Sequence, residues 1–213
     1  MQLKIYVPKH PLIEHLANLI QIVDIPPTLV RSSVIEIANW LCYEAIRNRL
    51  SLSEVPSNNI DGTSITQFIN PEDQILAMPL IKSGLLMSGS LRNLSSNIVF
   101  SYINFQIEYK TRLCDVTQED KLSMDGLSQY SQFLILDSIV LSSDRILSLL
   151  SFMKSKSVDL SSVCIILILC TSDVLRDIGN TYPDLTIYTS CIKDVTSPSE
   201  LLSYQRLLDT LQT

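Results

Sequence analysis

Apolar side chains recur at Leu12, Ile13, Leu16, Leu19 and Ile20, the spacing of one helix face, so residues 11–22 are expected to be helical. Pro26-Pro27 interrupts the pattern before a longer helix predicted over about 29–50, which makes the first quarter of the chain a helical hairpin. Residues 51–66 are a polar stretch rich in Ser, Asn and Thr, with a turn at Asp61-Gly62. The pattern then changes: short apolar runs at 75–81, 98–105, 133–136, 163–170 and 185–192 read as strands, and residues 1–8 as another short one. Helical patterns over 144–154 and 173–180 separate the later runs. Near-continuous Ile, Leu and Val strands alternating with helices predict a parallel sheet buried on both faces. The expected fold is therefore α/β, a Rossmann-like parallel sheet flanked by helices, in a single domain over residues 1–213. Within it, residues 1–70 hold the helical hairpin and covering elements, 71–195 the α/β core, and 196–213 a terminal helix. Residues 108–132 are polar and mixed, suited to an appended hairpin or a flap.

Composition narrows the function classes. With 16 basic and 22 acidic residues the net charge is -6, and no basic cluster offers itself to nucleic acid or to an anionic membrane surface. The longest strongly apolar run, residues 163–170, is far short of the roughly 20 residues that span a bilayer. Cys42, Cys114, Cys164, Cys170 and Cys191 are odd in number, include no C-x-x-C pair and mostly sit among apolar neighbours, which reads as buried, reduced thiols. His10 and His15 have no partners at ligand spacing, so a zinc site is not expected. The N-terminus has the features of neither a signal nor a transit peptide. Five glycines, scarce alanine and abundant Ile, Leu, Ser and Asn suggest an A/T-rich gene, as in a plastid or a reduced bacterial genome, and hence a plastid or bacterial-cytoplasmic setting.

In open parallel sheets ligands sit at the carboxyl ends of the strands, where helix N-termini present unpaired N–H groups to anions. Three segments are expected at that rim: Met78-Pro79-Leu80-Ile81-Lys82-Ser83-Gly84, Asp137-Ser138-Ile139-Val140-Leu141-Ser142-Ser143-Asp144, and Cys191-Ile192-Lys193-Asp194. Together with His10-Pro11-Leu12-Ile13, Tyr43-Glu44-Ala45-Ile46-Arg47 and Tyr182-Pro183-Asp184-Leu185-Thr186-Ile187-Tyr188-Thr189, they resemble the uracil phosphoribosyltransferases in order along nearly the whole chain. The resemblance implies a type I phosphoribosyltransferase fold with a hood, here reduced, and usually a homodimer. It implies an ancestral reaction in which uracil and phosphoribosyl pyrophosphate, with Mg²⁺, give UMP and pyrophosphate.

Carried over residue by residue, the family's phosphate turn, about D-P-M-L-A-T-G-G-S, puts Asp137 at the carboxylate that binds the ribose hydroxyls and Ser142 at the Thr that touches the 5′-phosphate. The two glycines become Ser143 and Asp144. Glycine lets backbone approach a phosphate closely. A carboxylate about 5 Å from a doubly charged phosphate is repelled by roughly 6 kcal/mol at an effective dielectric near 20, or about 2 kcal/mol in bulk-like water. The same residues also read as an ordinary helix start, with Ser143 as cap and Asp144 satisfying the helix dipole. In the pyrophosphate loop, Lys82 stands for an Arg, beside Ser83 and Gly84, and loses the planar fork. The stretch from Tyr102 to Tyr109 lacks the flap Arg. In place of the family's Gly-rich uracil loop, Ser197-Pro198-Ser199-Glu200 forms a capping box ahead of Leu201, Leu202, Leu207, Leu208 and Leu211. Arg206 reads either as a vestige of that loop or as a solvated side chain.

Three readings follow. The resemblance with its damaged motifs favours a homologue that has lost most or all catalysis. Asp137, Ser142 and the cation at Lys82 leave room for surviving salvage activity, with Mg²⁺ arriving on phosphoribosyl pyrophosphate. The Leu face of the terminal helix leaves room for a role in protein association.

Overall fold

Proline opens both N-terminal helices. The computed structural model describes residues 2–22, 24–60, 62–107, 114–118, 120 and 126–212, and in it α1 is Pro11–Leu19 and α2 is Pro27–Ile46. A helix's first N–H groups have no internal partner, so a residue without one fits there. His10 completes the start of α1, its Nδ1 accepting from the Leu12 N–H at 3.2 Å. Both helices stop short of the predicted ends, because apolar Ile22 and Leu50 continue the sequence period into turn residues.

β1 (Lys4–Tyr6), β4 (Ile75–Pro79), β5 (Ile98–Phe100), β8 (Gln132–Val140), β9 (Val163–Thr171) and β10 (Thr186–Lys193) form a six-stranded sheet in the order β1-β10-β9-β8-β4-β5. Every neighbouring pair is parallel. The predicted sheet buried on both faces is realised most fully in β9, all of whose residues are buried. Alternation along the strands feeds two cores. On one face Leu134, Leu136 and Ile166 meet Val34, Ile37 and Leu41 of α2, with α1, α3 (Leu85–Arg92) and α6 (Pro198–Gln212) beside it. On the other, Phe133, Ile135 and Ile165 meet Ile146 and Leu149 of α4 (Asp144–Ser155) and Ile178 of α5 (Ser172–Thr181).

The polar stretch after α2 is an antiparallel hairpin, β2 (Leu52–Asn59) with β3 (Gly62–Ile69), in register Asn59 with Gly62. Gly62 supplies the positive φ of 111° that the connection needs. Periodicity missed the hairpin because neither face is buried: Leu52, Ile65 and Phe68 are all exposed, so the chain carries no inside-outside contrast there. The run predicted over 98–105 divides into β5 and β6 (Phe105–Ile107), and β6 pairs with β7 (Cys114–Val116). This pair lies along α4, where the Ser148 hydroxyl donates to Asp115 Oδ1 at 3.4 Å. The expected flap over 108–132 falls partly outside the described residues; the described remainder includes β7 and a 3-10 turn, Leu127–Gln129, anchored by buried Leu127. Among the described residues no helix is long and apolar enough to cross a membrane.

Candidate functional site at the carboxyl rim

The sequence places a turn directly after residues 133–136, but β8 continues to Val140, pairing Asp137 with Leu167 and Val140 with Cys170. Ile139 and Val140 extend the apolar strand past the polar pair, so Asp137 and Ser138 lie within the sheet and are both fully buried. Asp137 follows Phe133 and Ile135 onto the face covered by α4. Its Oδ2 accepts from an Arg145 guanidinium nitrogen at 2.7 Å. Its Oδ1 accepts from the Ser83 hydroxyl and from its neighbour's N–H, Ser138 N, at 2.9 Å. Burial pushes the Asp137 carboxyl above its ordinary range, against the pull of Arg145, of the Ser83 hydroxyl and of the Ser138 N–H. The Ser138 hydroxyl is buried with no hydrogen-bond partner among the described residues.

Ser83 reaches Asp137 because residues 80–84 turn back onto β8. Leu80 N–H donates to Leu136 O at 2.9 Å and Gly84 N–H to Leu80 O at 2.7 Å; the Ile81–Lys82 peptide is cis. A Cβ on Gly84 would collide with Leu136 O and lie 2.7 Å from Leu80 N, so this tight bend admits only glycine. Lys82 is exposed at the loop's tip, whereas Ser83 and Gly84 are buried.

At the next turn the polar groups satisfy one another. The Ser142 hydroxyl donates to Asp144 Oδ2 at 2.6 Å and accepts from the Asp144 N–H at 3.3 Å. Ser143 holds the N-cap position of α4, as expected, but its side chain makes no capping bond. Its hydroxyl instead donates to Asp177 Oδ2 of α5 at 3.0 Å, so the cap chemistry falls to Ser142. The capping box before α6 forms as read: Glu200 Oε2 accepts from Thr196 N–H and Ser197 N–H, and Ser197 Oγ accepts from Glu200 N–H. These donors hold Glu200 below its usual range. A half-open cavity of about 440 Å³ separates α6 from the α1–α2 connection, with Ile20, Val30, Tyr204 and Leu207 in its wall and Arg206 at its edge.

Sequence reading missed Arg145. Its only sequence signal was weak, a cation in the first turn of a helix, where the macrodipole disfavours positive charge by a fraction of a kcal/mol to about 1 kcal/mol. It also missed that Ser83 and Asp137 meet, since 54 residues separate them. The described residues hold no ready-made site for a resident Mg²⁺. Among those described no three His, Cys, Asp or Glu side chains converge, and both oxygens of Asp137 are already taken. Nor is a reactive thiol present in the core. Burial pushes Cys42 up, Cys164 to about 11 and Cys170 to about 12.

The rim thus holds a carboxylate near the end of one central strand of a six-stranded parallel sheet, met by a glycine-tight loop and a helix N-terminus. A model of the uracil phosphoribosyltransferase family matches residues 7–201, and the chain belongs to that family. It is 24% identical over 193 residues to the uracil phosphoribosyltransferase of a Synechocystis strain, covering 91% of this chain and 88% of that one. It is 28% identical over 213 residues to a uracil phosphoribosyltransferase homolog of Porphyra purpurea, covering 98% of both. The AQ2163 protein of Aquifex aeolicus shares the fold, with a TM-score of 0.71 at 18% identity over 91% of this chain and 89% of that one.

Proposed function

We propose that this protein is a uracil phosphoribosyltransferase relative that has lost most or all of its transfer activity. The observation that carries the reading is the self-contained phosphate turn. Ser142, the donor aligned with the family's phosphate-binding Thr, spends its hydroxyl on the Asp144 carboxylate, which stands where the family has a glycine. A phosphate approaching the α4 N-terminus meets a negative charge instead of bare backbone. The capped helix α6 in place of a glycine-rich base loop supports the same conclusion.

The test is UMP formation from uracil and phosphoribosyl pyrophosphate with Mg²⁺. A repulsion of roughly 2 to 6 kcal/mol corresponds to a loss of at least about thirtyfold. Turnover matching that of an active family member overturns the reading and restores the salvage alternative, which rests on Asp137, Ser142 and exposed Lys82. Among the relatives are a chloroplastic enzyme of Arabidopsis thaliana and the Porphyra homolog. With the composition, they support a plastid origin, which the base composition of the gene and its neighbours checks.

The β2–β3 hairpin favours a second proposal, that the protein works as a homodimer. An isolated two-stranded hairpin is marginal in water. This one keeps Leu52, Ile65 and Ile69 exposed on one face within one copy, and burying that face against a second copy would stabilise it. Sedimentation is expected to give a dimer for the native chain and a monomer for Ile65→Asp/Ile69→Asp, whose charges fall on that one face. A monomeric native chain removes the proposal.

A further inference from the structure

The macrodipole mildly disfavours a guanidinium in the first turn of a helix, and here three acceptors hold one in place. Arg145 is held there by Asp137 Oδ2 at 2.7 Å, Ser83 Oγ at 3.1 Å and Ile81 O at 3.4 Å. One side chain thereby joins α4, strand β8 and the loop of residues 80–84. Ser83 closes the ring by donating to the other oxygen of Asp137. The carboxylate at its centre is fully buried, while the Arg145 side chain keeps 27% exposure, so the guanidinium lies between Asp137 and the solvent at the rim.

We propose that Arg145 is a specificity-determining latch: it fastens the 80–84 loop to β8 and denies Asp137 to any external vicinal diol. The proposal rests on reading Asp137 as the position that meets ribose hydroxyls. A pentose phosphate binding there has to displace a charge-assisted contact whose partner is buried, and then leave Arg145 at the end of its helix that disfavours positive charge. Neither the Ser142–Asp144 turn nor the loss of the base loop accounts for this closure, which acts on the sugar and not on the phosphate or the base.

The experiment is isothermal titration of the full chain and of Arg145→Ser, serine being the residue at this place in the family's turn, with ribose 5-phosphate and with 2-deoxyribose 5-phosphate. Arg145→Ser is expected to bind ribose 5-phosphate at least tenfold more tightly than the native chain. The deoxy sugar, which lacks the diol, should show no gain. This direction is opposite to what losing a cation does to anion binding in general, so simple electrostatics cannot imitate it. Equal or weaker binding by the variant, or an equal gain for both sugars, overturns the latch. If Arg145→Ser does not fold, Arg145→Lys, which keeps a charge but not the fork, carries the same comparison together with hydrogen exchange at the Gly84 amide. Faster exchange and tighter ribose 5-phosphate binding support the latch, and the absence of either overturns it. Native turnover of uracil overturns this proposal and the loss of activity together, whereas equal binding with no turnover removes the latch alone.

Discussion

Gly84→Ala is expected to destabilise the protein by about 3 kcal/mol or more, at the upper end of overpacking penalties. The backbone at Gly84 has an ordinary φ of -82°, so the cost does not come from conformation. It comes from space: the new methyl would collide with Leu136 O and stand 2.7 Å from Leu80 N, both backbone atoms that cannot rotate away. Relief requires lifting the 80–84 loop off β8, which breaks the Leu80 N–H bond to Leu136 O and withdraws Ser83 from Asp137. At roughly 2–4 °C per kcal/mol for a chain of this size, the midpoint should fall by about 6–12 °C in a thermal melt. Gly89→Ala is the control. Gly89 is exposed inside α3 with nothing within 4 Å of a new Cβ, and alanine there should stabilise by about 0.5–1 kcal/mol. Equal effects at the two positions would show that the loop is not bound to β8 as described.

Arg145→Met should cost about 3 kcal/mol at neutral pH, and most of that loss should disappear in acid. Breaking a buried pair costs roughly 3–5 kcal/mol, and the lower end applies because the Arg145 side chain is 27% exposed. The pH dependence follows from Asp137, whose carboxyl is raised by burial and held down in part by Arg145. A folded pKa above the unfolded one means that the native state holds the proton more tightly. Stability therefore falls as pH rises from the unfolded carboxyl range through the folded value. Without Arg145 the folded value moves higher still, so the fall is longer in the variant. Below the unfolded range Asp137 is neutral in both proteins and the difference closes. Urea unfolding of the pair at several pH values reads the difference directly. A gap that does not change with pH would mean that Arg145 acts by packing alone.

The periodicity of residues 163–170 was enough to predict a fully buried strand, because an unbroken Ile/Leu/Val run has no solvent face to offer. The same rule failed at both kinds of exception. Residues 52–59 and 62–69 form strands with no buried face, and β8 continues through a buried Asp-Ser pair that looks from the sequence like the start of a turn. Among the candidate residues, Lys82, which the resemblance puts at the pyrophosphate-loop Arg, is exposed at the loop's tip, and the Ser142–Asp144 helix start forms with the capping hydroxyl one position earlier than Ser143. Gly84 was recognisable as a special position, but its reason, the carbonyl of Leu136, lies more than fifty residues away.

The sequence by itself determined the family frame, the parallel sheet and the replacement of glycines by Ser143 and Asp144, since each is written in local order and residue type. Only the tertiary structure decided the state of Asp137. Ser83 comes to it from 54 residues upstream and Arg145 from 8 residues downstream, across a strand end and a helix start. Local patterns encode which side chains are buried. Which donors surround a buried carboxylate depends on how separate segments pack, and here that packing puts the protein's own cation, Arg145, beside the fully buried Asp137.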